Sequence, residues 1–198
     1  MDMPRIMIAV PCGLHGAYRP FDVVLAQVLK QYPTADVRYG MTGVLPGARN
    51  RLVRMAIAEQ WEYIWWLDDD QPFNPDDLGK LLVHQLDAVV PLAPRRGPPF
   101  LPLIYDSIQD GYGRQHFMSA ADRGLIKIAA AGMAGLLIRT ACFEAIGTDG
   151  WFEFEHPPGN FDDYAEDIPF YRKLAASGVQ LYCDIEVKFG HMVSSVAY

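Results

Sequence analysis

The sequence predicts a single α/β domain built on a mixed, mostly parallel sheet flanked by helices. Two observations lead there. Short apolar runs at residues 5–10, 62–67 and 88–92 lack the polar alternation of a half-solvated strand, so they read as strands buried on both faces. Segments with helical spacing separate them, which gives the β-α-β rhythm of a sheet whose crossovers are helices. A third observation bears on function. The strand ending Trp65-Trp66-Leu67 runs directly into Asp68-Asp69-Asp70, and three adjacent carboxylates repel one another unless a cation compensates them.

Taken in order, residues 5–10 form a first strand, and Pro11-Cys12-Gly13-Leu14-His15-Gly16 a loop rich in turn formers. Phe21, Val24, Leu25, Val28 and Leu29 share one helical face over residues 21–31. A short strand at 35–39 leads through Gly40 to Gly47 into a helix at 48–60, followed by the Trp-rich strand. Beyond the acids, Gln71-Pro72-Phe73-Asn74-Pro75 is a turn, and residues 75–86 read as a helix with Asn74 as its N-cap. A strand at 88–92 follows. Residues 93–124 carry many Pro, Gly and aromatic side chains without periodicity and read as hairpins or an ordered excursion over the sheet. Extended structure at 126–138, a short helix at 140–146 stopped by Gly147, and a loop at 148–163 come next. A helix at 166–177 closed by Gly178 precedes two final strands, 180–183 and 186–189.

With 198 residues, 51% of them hydrophobic and 21% charged, the chain can bury a substantial core and is unlike a disordered one. A net charge of −7 argues against coating nucleic acid, and no nucleic-acid surface is evident. Residues 6–10 are too short for a signal-peptide core, and no stretch reaches the roughly 20 apolar residues of a membrane span; the expectation is a cytoplasmic protein. Cys12, Cys142 and Cys183 are far apart and include no CxxC pair, so they suggest neither a disulfide framework nor a structural zinc site.

The three acids lie at the carboxyl end of a strand, the edge at which open α/β sheets bind ligands. If the extended conformation persists, Asp68 and Asp70 face one way and Asp69 the other. Two hard oxygen donors suit Mg²⁺ or Mn²⁺, with phosphate oxygens completing the shell; a solvated turn capped by Asp68 is the ordinary alternative. Gly47-Ala48-Arg49-Asn50 sits at a helix start, where free N–H groups and an arginine suit a phosphate, although Arg49, Arg51 and Arg54 also fit a solvated face. Asp162-Asp163-Tyr164-Ala165-Glu166-Asp167 puts four acids in six residues at the mouth of a helix, more than its dipole needs, and a carboxylate there is a natural general base. His191 follows Gly190 at the end of the last strand; it is either structural or the imidazole of a carboxylate-rich metal site.

The order of these motifs resembles the GT-A nucleotide-sugar glycosyltransferases, especially the family 2-like group. The matching stretches are the strand ending in Pro11, Ala48-Arg49-Asn50, Leu67-Asp68-Asp69-Asp70 as the DXD-type motif, and Asn74-Pro75-Asp76-Asp77-Leu78. They continue with Gly132-Met133-Ala134-Gly135-Leu136-Leu137-Ile138-Arg139, Phe143-Glu144-Ala145-Ile146-Gly147, Glu166-Asp167 with Phe170, and Gly190-His191. The resemblance spans nearly the whole chain. It implies one compact catalytic domain, residues 1–198, with a nucleotide-sugar-binding half (1–92) and an acceptor-binding half (93–198).

The implied activity is metal-dependent, inverting transfer of a sugar from a UDP- or GDP-sugar to the hydroxyl of an unidentified acceptor. The implied donor-binding residues are Pro11, Arg49, Asn50, Asp68 and Asp69. Asp68, Asp70 and His191 would hold Mn²⁺ or Mg²⁺, with Asp70 ligating directly and Asp68 touching the ribose or a metal-bound water. Asp167 would be the base, with Glu166 beside it binding acceptor or holding the helix. Two features depart from the family pattern: Tyr39-Gly40-Met41-Thr42-Gly43 replaces the usual acidic turn after the second strand, and the sequence runs only briefly past His191. Pro94-Arg95-Arg96-Gly97-Pro98-Pro99 is either a lid that brings an arginine to the diphosphate or a plain surface loop. The competing functions are a non-catalytic nucleotide-sugar-binding protein on the same fold and a nucleotidyltransferase, whose Gly-rich N-terminal signature is missing.

Overall fold

In the computed structural model, the described residues are 3–12, 19–41, 44–155 and 166–192. The turn residues 13–16, Asp162, Asp163, Tyr164 and Ala165, all singled out in the sequence, lie outside them, as does the side chain of Cys12. The strands are β1 (Ile6–Cys12), β2 (Ala35–Met41), β3 (Tyr63–Trp66), β4 (Ala88–Leu92), β5 (Ile104–Gln109), β6 (Tyr112–Gln115), β7 (Leu125–Ile128), β8 (Ala130–Ala131), β9 (Leu137–Arg139) and β10 (Leu181–Lys188). The helices are α1 (Arg19–Gln31), α2 (Leu45–Ala58), α3 (Asp77–Leu82), α4 (Thr140–Ile146) and α5 (Asp167–Ala176).

The main sheet has seven strands in the order β2-β1-β3-β9-β4-β10-β7. β1 pairs in parallel with β2 and β3, and β4 with β10, while β9 and β7 run antiparallel to their neighbours. β5, β6 and β8 form a smaller antiparallel sheet, and it is here that the aperiodic stretch after β4 finds its hairpin.

Apolar runs become strands because both faces of the large sheet are covered. Along β1, Ile6, Ile8 and Val10 join one core with Phe21, Leu25 and Val28 of α1 and Leu78 of α3; Met7 and Ala9 join the other, with Leu52 and Val53 of α2, Phe143 of α4 and Phe170 of α5. The adjacent Trp65 and Trp66 divide the same way, Trp65 edge-on to Phe73 and Trp66 edge-on to Phe152. A pleated strand sends successive side chains to opposite faces, so a doubly covered strand has no place for a polar residue.

Several expected boundaries move. α2 begins at Leu45, because Pro46 fits the first turn of a helix, where no intrahelical N–H is required. Arg49 therefore lies past the free N–H groups of the helix start. α3 is shorter than residues 75–86, and Asn74 does not cap it: the Asn74 N–H instead donates to the Asp77 carboxylate at 2.8 Å. The extended stretch at 126–138 is three short strands interrupted by a turn in which Gly135 adopts φ +78°. There a Cβ would stand 2.2 Å from Pro91 Cγ, so both the backbone and the close approach call for glycine. The two final strands are one, β10, whose pairing with β4 shifts register between Asp184 and Lys188. Among the described residues no helix is long and apolar enough to cross a membrane.

Candidate active site

Because β1, β3, β4 and β10 run in one direction, their carboxyl ends share one edge. To that edge come Pro11 from β1, the acids after β3, the loop after β4, and Gly190-His191 after β10. Pro11 is buried and stands opposite Gly40 of β2.

The acidic run does not stay extended. Gln71 N–H donates to the Asp68 carbonyl at 3.2 Å, closing a turn through Asp69 and Asp70, so the strand alternation stops and Asp68 and Asp70 meet different partners. Asp70 pairs with Arg96 through one oxygen, and its other oxygen lies 4.0 Å from His191 Nε2. His191 Nδ1 donates to the Pro94 carbonyl at 2.8 Å. In the neutral ring this leaves the Nε2 lone pair facing Gln71 Nε2 at 3.2 Å and Asp70 beyond it. Backbone bonds from Gly190 to the Pro72 carbonyl and from Met192 to the Asp70 carbonyl clip the two segments together.

Asp68 turns the other way. Its carboxylate accepts from Arg49 Nη2 at 3.4 Å, while Arg49 Nε donates to Glu166 at 3.2 Å. Arg49 is 2% exposed and lies against the rings of Trp66 and Phe152, 5.3 and 5.9 Å from their centroids. Among the described residues its Nη1, which is buried, has no hydrogen-bond partner. The next residue is engaged too: the Asn50 amide donates to the Phe152 carbonyl at 2.8 Å and accepts from the Phe152 N–H at 2.9 Å.

Glu166 and Asp167 open α5. Burial and the adjacent Glu166 carboxylate push the Asp167 carboxyl up to about 6, with Arg49 and the Ile168 N–H pulling it back. A carboxyl poised there is ionised at neutral pH and still basic enough to take a proton. Tyr105, of β5, has its hydroxyl pushed up by burial and by Asp167, and held back by Arg95. The loop after β4 thus carries two neighbouring arginines to two places, Arg95 to Tyr105 and Arg96 to Asp70.

Asp70 Oδ1 and His191 Nε2 lie 4.0 Å apart, whereas neighbouring donors about 2.1 Å from one octahedral ion lie about 3 Å apart and opposite ones about 4.2 Å. Asp68 is drawn off to Arg49, and among the described residues no group of three His, Cys, Asp or Glu could hold a metal ion. Two protein donors with substrate phosphate and water is an arrangement Mg²⁺-like ions accept. Gln71, 2% exposed and beside His191, had no signal in the sequence beyond following the acids, because its neighbour lies 120 residues away. The Pro94 carbonyl was equally invisible, since any residue supplies one.

Neither a protein-family model nor a curated protein sequence matches the chain. Solved structures do. The crystal structure of A197 from STIV is similar with a TM-score of 0.59 at 11% identity, over 96% of this chain and 86% of that one. The crystal structure of GalNAc-T7 with UDP, GalNAc and Mn²⁺ is similar with a TM-score of 0.65 at 10% identity, over 96% of this chain and 44% of that one. The chain therefore spans less than half the length of GalNAc-T7. With the strand order above, these likenesses give the chain a GT-A-like fold: a mixed α/β domain with a large, mostly parallel sheet flanked by helices.

Proposed function

We propose that the protein is a metal-dependent glycosyltransferase that moves a sugar from a nucleoside-diphosphate sugar to an acceptor hydroxyl with inversion. The observation that carries this reading is the gathering, around one sheet edge of a GT-A-like fold, of a carboxylate–imidazole pair and a separate poised carboxylate. Asp70 with His191 forms the first, and Asp167 the second. GalNAc-T7, crystallised with UDP, GalNAc and Mn²⁺, supports a UDP-sugar and Mn²⁺ as the first ligands to try.

In this reading Asp70 and His191 would hold Mn²⁺ or Mg²⁺, which would neutralise charge on the departing diphosphate. Asp68 and Asp69 border the donor, with Pro11 beneath it and Arg49 and Asn50 behind. Asp167 accepts the proton of the acceptor hydroxyl as its oxygen bonds to the anomeric carbon. The bond from that carbon to the diphosphate oxygen breaks on the opposite face, and the electron pair leaves with the nucleoside diphosphate. Glu166, tied to Arg49, keeps the start of α5 in place beside the acceptor.

The test is a thermal-shift screen of UDP- and GDP-sugars with and without Mn²⁺, on the wild type and Asp70→Ala. A shift that needs both metal and Asp70 is expected. If no nucleotide sugar stabilises the wild type in a metal-dependent way, the proposal fails. Binding without transfer or hydrolysis, unchanged in Asp167→Asn, leaves a non-catalytic nucleotide-sugar-binding protein instead.

A further inference from the structure

Arg49 links parts of the site that are remote in sequence. Its guanidinium joins Asp68, at the end of β3, to Glu166, at the start of α5, which is 117 residues away. Trp66 and Phe152 lie against the group, and Arg49 is buried. Packing alone does not account for it. A buried cation whose Nη1 has no partner among the described residues is a costly way to fill space, because an apolar side chain of similar volume would need no desolvation. Its position explains the cost electrostatically, since it is the cation set among the acids of both halves.

Resting on the reading above, we infer that Arg49 is a positioning residue: it braces Asp68 against Glu166 and sets the field in which Asp167 takes and releases its proton. Among the described residues, the groups acting on Asp167 are Glu166 beside it, Arg49 from α2, Tyr105 from β5 and Tyr171 one turn along α5, with Arg95 acting on Tyr105. Glu166 raises the Asp167 carboxyl and Arg49 lowers it, so the two neighbours oppose each other. Removing either one unbalances the site in a known direction.

The experiment is a ¹³C-carboxyl NMR titration of the whole chain, with the Asp167 resonance identified by its loss in Asp167→Asn. Arg49→Met is expected to move the Asp167 midpoint upward by about one pH unit and Glu166→Gln to move it downward by a similar amount. Arg49→Lys, which keeps the charge, is expected to stay near the wild type. Midpoints that do not move, or that move the same way in Arg49→Met and Glu166→Gln, overturn the inference. Should Arg49→Met not fold, Arg49→Gln takes its place, and a midpoint that does not rise in it refutes the inference. The titration needs no donor, so a failed nucleotide-sugar screen would remove the proposed function and leave this result standing. Where transfer is measurable, the acidic limb of kcat follows the NMR midpoint.

Discussion

Asp167→Asn should abolish transfer and at the same time stabilise the protein, by an amount that depends on pH. The Asp167 carboxyl rises from an ordinary value of 3.8 to about 6 because of burial and Glu166. The folded chain therefore binds this proton more tightly than the unfolded chain does. The stability this contributes is fully present below pH 3.8 and is lost as pH rises through about 6. At neutral pH the ionised carboxylate is a steady burden. About two pH units at 1.36 kcal/mol each make roughly 3 kcal/mol, or about 2 kcal/mol once partial contact with water is allowed for. Asparagine keeps an oxygen for the Ile168 N–H, which the Asp167 carboxylate now accepts at 2.8 Å. For a chain of this size, about 2 kcal/mol is a rise in Tm of roughly 4–8 °C. Melting curves of both proteins from pH 4 to pH 8 should diverge between about pH 4 and pH 6 and then run parallel. Curves that coincide throughout, or that lie furthest apart at pH 4 and converge as pH rises, would refute the account of Asp167 as a strained, poised base.

Arg96→Ala should tighten Mn²⁺ binding about two- to fivefold in calorimetry without nucleotide, since an exposed ion pair on Asp70 competes with the cation by about 0.5–1 kcal/mol; weaker binding would show that Arg96 helps to build the site. Gly135→Ala should lose about 3 kcal/mol in urea unfolding, because φ is +78° and the new Cβ meets Pro91 at 2.2 Å and Phe189 at 2.9 Å. A loss below about 1 kcal/mol would mean that Pro91 yields easily. Asn50→Ala should cost about 2 kcal/mol by removing both hydrogen bonds to the Phe152 backbone. An unchanged urea midpoint would count against that clasp as a support for the loop before α5.

Strands β1, β3 and β4 were legible because doubly buried strands must be apolar throughout, and α1 because a helix covering one face of a sheet must be apolar every third or fourth residue. The early βαβ alternation follows from those patterns, and with it the placing of Asp68, Asp69 and Asp70 at the carboxyl edge. Local chemistry alone also marked Gly147 and Gly178 as helix ends, whereas Gly135 stood out only through the family resemblance.

Which acid faces which partner was decided elsewhere. The turn closed by Gln71 sends Asp68 to Arg49 and Asp70 to Arg96 and His191, and strand alternation had suggested that the two acids act together. Arg49 read either as a phosphate ligand at a helix start or as part of a solvated face; Pro46 places that start earlier, and Trp66 and Phe152 cover its guanidinium. Periodicity and turn chemistry act over a few residues, so the sequence by itself determined the elements and the edge that carries the acids. Charge pairing and desolvation act through space between residues as far apart as Arg49 and Glu166, and so only the tertiary structure decided which of those acids is paired and which is poised.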